Sequence, residues 1–139
     1  MVHELAMESQ QFVAISPQIS HMLARKTPAP HAAHVSVLQF SGTEDELVLY
    51  DGGVGVVDHD FLSAENSSAT WAQHNGCDST PEERDSDSGI YTVLEWENCS
   101  TGRIVVHIRL NGIGHDLPEN IIEGGAMSYM MNFLMEARQ

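Results

Sequence analysis

The chain has 139 residues, of which 42% are hydrophobic, so it is long enough for one packed domain and its composition excludes wholesale disorder. Twenty acidic residues against six basic ones give a net charge of −14, which repels phosphate backbones and argues against a nucleic acid partner. No apolar run approaches the roughly 20 residues of a membrane-spanning helix, and the first residues lack the basic and apolar segments of a signal peptide.

Hydrophobic periodicity and turn residues divide the chain into alternating strands and helices. The predicted elements, in chain order, are the end of a helix over 3–10, a strand over 12–16, a loop over 17–34, a strand over 35–41, an acidic turn over 42–46, an apolar stretch over 47–50, a helix over 62–74, a loop over 78–89, strands over 91–97 and 103–110, and a helix over 123–137. This alternation predicts a single α/β domain over 1–139, with a mostly parallel sheet flanked by helices.

Capping residues and side-chain spacing support the two longer helices. Ser63 is a suitable N-cap for the helix over 62–74, and Asn75 and Gly76 end it in the usual C-terminal manner. The last helix is amphipathic, because its apolar residues recur at helical spacing. These residues are Met127, Met130, Met131 and Leu134.

The strands over 35–41 and 103–110 each run into a residue that can take part in acid–base chemistry. Asp45 follows the first strand, and the glycine-flanked His115 follows the second. In parallel α/β sheets, function gathers at the carboxyl ends of strands, and α/β-hydrolases place their acid and their histidine there in this chain order. The nucleophile motif G-x-S-x-G does not occur in the sequence. The sequence therefore predicts the acid and the base of a catalytic triad without its nucleophile.

The cysteines and the other histidines leave alternatives open. The number of cysteines alone does not decide whether Cys77 and Cys99 form a disulfide or remain buried thiols. A bridge would close a loop of about 20 residues, contribute on the order of 3 kcal/mol and indicate an oxidising compartment. His31, His34 and the Asp-His-Asp segment 58–60 could be metal ligands, but they lack the partners and spacing of a structural zinc site. We therefore assign no metal and no cofactor.

Four short motifs occur along the chain. Residues 40–45 read Phe-Ser-Gly-Thr-Glu-Asp, and residues 50–53 read Tyr-Asp-Gly-Gly. Residues 71–77 read Trp-Ala-Gln-His-Asn-Gly-Cys, and residues 112–118 read Gly-Ile-Gly-His-Asp-Leu-Pro. In this order, the motifs resemble the C-terminal half of the polyhydroxybutyrate depolymerase-like esterases, a group of α/β-hydrolases that includes feruloyl and acetylxylan esterases. The corresponding motifs of that group are H-G-T-x-D, Y-x-G-G, W-A-x-x-N-G-C and G-x-G-H-x-x-P.

The resemblance implies the C-terminal portion of an α/β-hydrolase fold, in which the N-terminal strands and the nucleophile elbow are missing. It implies that Asp45 is the triad acid, that His115 is the triad base, and that Cys77 and Cys99 pair. Residues 1–6 are similar to the helix that follows the serine elbow. The missing N-terminal half of the same domain would therefore be the partner that supplies the serine and the oxyanion donors.

The chain departs from the group's pattern at two places. Ser41 stands where the group has histidine, and Asp116 and Leu117 stand where it often has threonine and tryptophan. Loss of that tryptophan removes an expected aromatic contact with a polymer or feruloyl substrate.

These observations lead to three hypotheses. The first is a serine esterase that acts on carboxylic esters, either polyhydroxyalkanoates or the feruloyl and acetyl esters of plant cell walls. As a fragment without its nucleophile it would be inactive alone, and the resemblance and the bridge together imply an extracellular or periplasmic location. The second is a non-catalytic remnant that binds a ligand or a partner chain. The third is an acidic cation-binding protein that uses the loop histidines.

Overall fold

A computed structural model describes residues 1–138, and this range contains three α-helices, a short 3-10 helix and seven strands. The helices are α1 (Val2–Glu8), α2 (Ala64–His74) and α3 (Ala126–Glu136), and the 3-10 helix is Glu119–Ile121. The strands are β1 (Ala14–Ile15), β2 (Ser36–Gly42), β3 (Gly53–Val54), β4 (Asp60–Phe61), β5 (Glu82–Asp85), β6 (Tyr91–Trp96) and β7 (Val105–Leu110). Among these helices, none combines the length and the apolar character that a bilayer crossing requires.

Five strands form one sheet in the order β1-β2-β7-β6-β5, and β3 and β4 form a separate two-stranded ribbon. β1, β2 and β7 run parallel, whereas β6 is antiparallel to both β7 and β5. The expected mostly parallel sheet is therefore a mixed sheet within the described residues. The difference arises because short turns after β5 and after β6 lead directly into the neighbouring strand, and such connections produce antiparallel pairs.

One face of the five-stranded sheet packs against α1 and α2. Its core consists of apolar side chains from these helices, from four strands and from the segments beside them, namely Ala6, Ile15, Met22, Val35, Val37, Trp71, Ala72, Leu94, Trp96 and Val105. The predicted N-cap of α2 is confirmed, because Ser63 Oγ accepts the backbone N–H of Asn66 at 3.1 Å.

The opposite face of the sheet packs against α3 and the 3-10 helix. Its core contains Ile19, Leu38, Phe40, Val106, Ile108, Leu110, Ile122 and Met130. Successive residues of a strand point to opposite faces, so a strand covered on both sides buries all of its residues. β2 does so along its whole length, which makes it a fixed base for the loop that follows it.

Most predicted helices and strands are confirmed to within two residues at each end, although only Ala14–Ile15 of the strand over 12–16 is extended. Two predictions differ from the structure, and β3, β4 and the 3-10 helix were not predicted. The loop over 78–89 contains β5, and its prediction is wrong there because four charged, exposed residues give no apolar alternation. The last helix begins at Ala126 and not at 123, since Gly124 and Gly125 have φ values of 84° and 94°, outside the helical region.

Cys77 and Cys99 form a disulfide, as the resemblance implies. The bond joins the residues after α2 to the turn between β6 and β7. This turn lies at the end of the sheet where Trp96 pairs with Val105, opposite the carboxyl ends of β2 and β7. The disulfide therefore stabilises the scaffold at a distance from the candidate site.

Candidate active site

The candidate site lies on two loops that leave adjacent parallel strands. β2 and β7 end side by side, with Gly42 in register with Leu110. The backbone N–H of Thr43 donates to the carbonyl of Leu110 at 3.0 Å and continues the pairing beyond the strands. The loop with Asp45 and the loop with His115 are thereby held against each other.

Gly42 permits this close approach of two backbones. A Cβ at this position would lie 2.3 Å from the carbonyl oxygen of Ile113 and 2.4 Å from that of Gly114. Both distances are far below van der Waals contact, so any side chain would push the loops apart. The glycine of the first motif is thus explained by packing between the loops, and it carries no positive φ.

Asp45 and His115 form a hydrogen-bonded pair. The distance from His115 Nδ1 to Asp45 Oδ2 is 2.9 Å. The other carboxylate oxygen, Oδ1, accepts the backbone N–H groups of Leu47 at 2.8 Å and Val48 at 2.9 Å. The Asp45 side chain is 2% exposed, whereas that of His115 is 41% exposed. The carboxylate is therefore fixed in the interior, while the imidazole that it orients reaches the surface.

This arrangement sets the tautomer of His115. Because a carboxylate accepts and does not donate, the proton of neutral His115 lies on Nδ1. Nε2 then carries a lone pair, and it makes no hydrogen bond to any residue in 1–138. An exposed imidazole with a free Nε2 and a buried carboxylate behind Nδ1 is the geometry of a general base in acyl transfer.

A layer of buried polar side chains lies beneath the pair, between the sheet and α2. His21 Nε2 lies 3.0 Å from Ser41 Oγ, and the amide of Gln39 donates to the same Oγ at 3.2 Å. The hydroxyl of Ser67 in α2 donates to Gln39 Oε1 at 3.0 Å. Ser41, which replaces the expected histidine, is thus bonded to an imidazole that comes from another segment of the chain.

Three histidines of the interior are held in the neutral form. Burial lowers the pKa of His3 to about 4, that of His21 to about 4 and that of His107 to about 3. A positive charge on His21 would also lower the pKa values of His3 and His107, whereas the carboxylate of Asp45 raises that of His21. Both ring nitrogens of His107 lack a hydrogen-bond partner among residues 1–138. These buried imidazoles are poorly suited to carry charge.

The other predicted residues do not join the pair. No serine in residues 1–138 hydrogen-bonds to His115. His34 stacks on His74 with ring centroids 4.6 Å apart, and His59 lies edge-on to Phe61. Across residues 1–138, no three His, Cys, Asp or Glu side chains are grouped so that they could hold a metal ion.

Sequence reasoning missed His21. It lies within the predicted loop 17–34, where no periodicity or motif distinguishes it from His31 or His34. Its place beside Ser41 depends on the path of the segment after β1, which continues parallel to β2 through the bridge between Gln18 and Phe40. No signal in the sequence alone could have found it.

Comparison with known proteins gives one informative match. No protein-family profile matches the chain. A curated protein named feruloyl esterase B, from Piromyces equi, is 34% identical to it over 83 residues. The match covers 57% of this chain and 15% of the esterase, so the chain spans a small part of that protein. The similarity supports an esterase-like relationship.

Proposed function

We propose that this chain carries the acid and the base of a serine carboxylic ester hydrolase with an α/β-hydrolase fold. The observation that supports this proposal is the pair of His115 and Asp45, joined at 2.9 Å on the loops after two adjacent parallel strands. The two residues stand in the chain order of that fold, and the match to feruloyl esterase B agrees with ester hydrolysis.

The proposed reaction is acyl transfer to water through an acyl-serine intermediate. His115 Nε2 removes the proton of a serine hydroxyl as its oxygen forms a bond to the ester carbonyl carbon. The imidazolium then donates that proton to the departing alkoxide. In the second half, His115 removes a proton from the water that attacks the carbonyl carbon of the acyl-serine. The imidazolium then returns this proton to the serine oxygen as the bond between that oxygen and the acyl carbon breaks and the acid leaves. Asp45 holds Nδ1–H throughout and stabilises the positive charge on the ring.

The serine and the oxyanion donors are proposed to come from a segment outside residues 1–138. The support is that no serine of the described chain bonds to His115, although its Nε2 makes no other bond there. Without them the isolated chain should show little or no turnover, because oxyanion stabilisation is usually among the largest catalytic contributions.

The substrate class is proposed to be the esters on which depolymerase-like enzymes act, including the feruloyl esters named for the relative. An extracellular or periplasmic location is compatible with the disulfide between Cys77 and Cys99. The alternative is a non-catalytic remnant that binds a ligand or a partner chain. If no upstream coding sequence exists to supply a serine, the observation that no serine of the described chain bonds to His115 favours this alternative.

The test compares the 139-residue chain with the product of the longest reading frame that includes it. Ethyl ferulate and 4-nitrophenyl butyrate are the substrates, and His115→Ala is the test variant. His31→Ala is the matched control, since His31 is an exposed loop histidine. We expect turnover only from the longer protein. His115→Ala should abolish this turnover, and His31→Ala should leave it unchanged.

Two outcomes would contradict the proposal. Turnover by the 139-residue chain that depends on His115 would show that its own residues provide a nucleophile. A longer protein that folds but hydrolyses neither ester, or the lack of any longer reading frame, would favour the non-catalytic alternative.

A further inference from the structure

A concave surface, the amino-end pocket, lies at the edge of the sheet opposite the Asp45–His115 pair. Because β1, β2 and β7 run parallel, the residues that precede these three strands lie together at this edge. Val13, His34 and Arg103 line the pocket from the three segments. Its volume is about 530 Å³, within the roughly 300–1,000 Å³ that is usual for small-molecule sites.

Backbone hydrogen bonds hold the three segments side by side. The N–H of Ser36 donates to the carbonyl of Val13 at 2.9 Å, and the N–H of Val37 donates to the carbonyl of Ile104 at 2.8 Å. The hydroxyl oxygen of Ser36 also accepts the N–H of Ile104 at 3.1 Å. The pocket is thus formed before a ligand arrives, which lowers the entropy cost of binding.

The wall that carries His34 is fixed by a second histidine. His74 Nε2 in α2 lies 3.2 Å from the carbonyl oxygens of both Ala32 and Ala33. Because a carbonyl only accepts, Nε2 donates to them and holds this turn. The ring of His34 stacks on that of His74, with centroids 4.6 Å apart. An exposed imidazole of the pocket therefore rests on a ring that the backbone keeps in place.

The wall that carries Arg103 is joined to the end of α2. The hydroxyl of Thr101 donates to the carbonyl of Asn75 at 3.0 Å. Two residues earlier, Cys99 forms the disulfide with Cys77. Arg103 therefore follows a turn that two contacts anchor, one of them covalent.

The pocket lacks acidic side chains, although the chain has 20 acidic residues and 6 basic ones. Lys26, Arg84 and Arg109 each pair with a glutamate, whereas no carboxylate in residues 1–138 pairs with Arg103. Carboxylates outside the pocket are screened beyond about 8 Å at physiological ionic strength. The guanidinium of Arg103 is therefore available to an anion from solution.

Apolar surface lies beside this cation. Phe12 and Val13 line the pocket, and they are 41% and 39% exposed. A guanidinium binds a carboxylate through two parallel N–H bonds, and an imidazole N–H adds a further donor. The lining thus suits a ligand that combines one carboxylate with an apolar body.

The remaining basic residue of the lining, His31, joins the wall through its backbone. Its carbonyl accepts the side-chain amide of Gln10 at 3.1 Å. This bond fixes the position of the loop, and we assign no ligand contact to the imidazole of His31.

We infer that the amino-end pocket binds a small organic carboxylate, with the carboxylate on Arg103 and His34 and an aliphatic body on Phe12 and Val13. The pocket lies at the amino ends of the parallel strands, whereas Asp45 and His115 follow their carboxyl ends. A ligand bound there is therefore separate from the reacting ester, and the inference does not depend on the proposed function.

The test is a titration of the ¹⁵N-labelled 139-residue chain, followed by amide chemical shifts, at an ionic strength of about 0.15 M. The probes are cyclohexanecarboxylate, cyclohexylmethanol, which has the same ring without the charge, and inorganic phosphate, which has charge without the apolar body. We expect cyclohexanecarboxylate to shift the amides of Val13, His34 and Arg103. It should bind at least about tenfold more tightly than either of the other probes.

Two variants with one matched control locate the binding. Arg103→Gln should weaken binding of cyclohexanecarboxylate about tenfold, because it removes the charge and keeps most of the stem. His34→Ala, at an exposed position, should weaken it by a smaller factor. Arg25→Gln is the control, since Arg25 is exposed, lies outside the pocket and gives the same change in net charge. It should leave the affinity unchanged.

Several results would overturn this inference. Equal affinities for cyclohexanecarboxylate and cyclohexylmethanol would show that the charge is not recognised. Phosphate that binds as tightly as cyclohexanecarboxylate would show that the apolar surface plays no part. Equal losses in Arg103→Gln and Arg25→Gln, or shifts confined to other residues, would remove the site from this pocket. Turnover by the longer protein, which tests the proposed function, is decided by none of these measurements.

Discussion

The indole N–H of Trp71 donates to Nδ1 of His3 at 3.0 Å, which joins α2 to α1 across the core of one face of the sheet. Because Trp71 has no acceptor, the bond exists only while His3 Nδ1 is unprotonated. Protonation of His3 would replace the bond with two donors that face each other in the interior. The contact between these two helices therefore depends on pH.

This dependence predicts that the domain loses stability in mild acid. The folded-state pKa values of His3 and His21 are lowered to about 4 and that of His107 to about 3, all from 6.5. The unfolded chain therefore binds protons first as the pH falls. The three groups leave stability unaffected well above pH 6.5 and lower it progressively as the pH falls from there toward 3. For His3 alone the loss is on the order of 3 kcal/mol.

Urea denaturation between pH 8 and pH 4.5 measures this effect. The free energy of unfolding should decrease with falling pH, with a slope that approaches the uptake of three protons below about pH 6. His31→Ala, at an exposed loop position, should leave the slope unchanged. A free energy of unfolding that stays level across this range would show that the three imidazoles are not held neutral.

His107→Leu should lower the pH dependence of the free energy of unfolding by the equivalent of one proton, without a loss of stability at neutral pH. His107 is fully buried in β7, beside Tyr50, and neither ring nitrogen has a partner among residues 1–138. Replacement of an unsatisfied buried polar group by an apolar one of similar size is neutral or stabilising, by up to about 1–3 kcal/mol. Urea denaturation at pH 7.5 and pH 5 checks both effects, and marked destabilisation at pH 7.5 would reveal a bond that His107 makes in solution.

The paired residues of the candidate site could be found from the sequence, whereas the polar layer beneath them could not. Asp45 and His115 each follow an apolar run that is bounded by turn residues, and parallel strands bring such ends together. His21 and His107 carry no comparable signal. Their environments depend on register and on long-range packing, such as the pairing of Gln39 with His107 across β2 and β7.

The limits of the fold prediction have the same origin. The buried strands β2 and β7 could be predicted from the sequence because apolar runs specify them. The helix α2 could be predicted because Ser63 is a suitable N-cap. β5 was missed because an exposed edge strand is held by its neighbour β6 and not by its own hydrophobic pattern. The mixture of parallel and antiparallel strands depends on the lengths of the connections between them. The sequence pattern indicates these lengths less clearly than it indicates which strands are buried.

Gly42→Ala should separate the two loops of the candidate site. The added Cβ would lie 2.3 Å from the carbonyl oxygen of Ile113, so the backbone must move, and we expect a loss of about 3 kcal/mol. Gly114→Ala is a matched control in the facing loop, because its Cβ would meet the carbonyl of Glu44 at an ordinary 3.6 Å. Urea denaturation together with the ¹⁵N shifts of His115 compares the two, and equal effects would contradict the role assigned to Gly42.

Replacement of Cys77 and Cys99 by serine should lower the free energy of unfolding by about 3 kcal/mol, since the bond closes a loop with a sequence separation of 22. The ¹⁵N shifts of His115 should remain unchanged, because the disulfide lies at the other end of the sheet. Urea denaturation of the oxidised, reduced and doubly substituted chains measures the loss. A shift at His115 would show that the scaffold transmits strain to the site.

Asp45→Asn tests how the pair is oriented. The carboxylate now receives two backbone N–H groups at Oδ1 and the Nδ1–H of His115 at Oδ2. An amide that keeps its oxygen toward the backbone would turn its NH₂ group to His115, so that Nδ1 must accept and the proton moves to Nε2. The low-field proton resonance of Nδ1–H should therefore disappear, while Asp116→Asn, at the exposed neighbouring carboxylate, should leave it in place.

In the longer protein, Asp45→Asn should reduce kcat by roughly 10⁴-fold, because the wrong tautomer cannot remove the serine proton. An unchanged resonance in Asp45→Asn would mean that Asp45 does not set the tautomer, and the base assigned to His115 would lose its support.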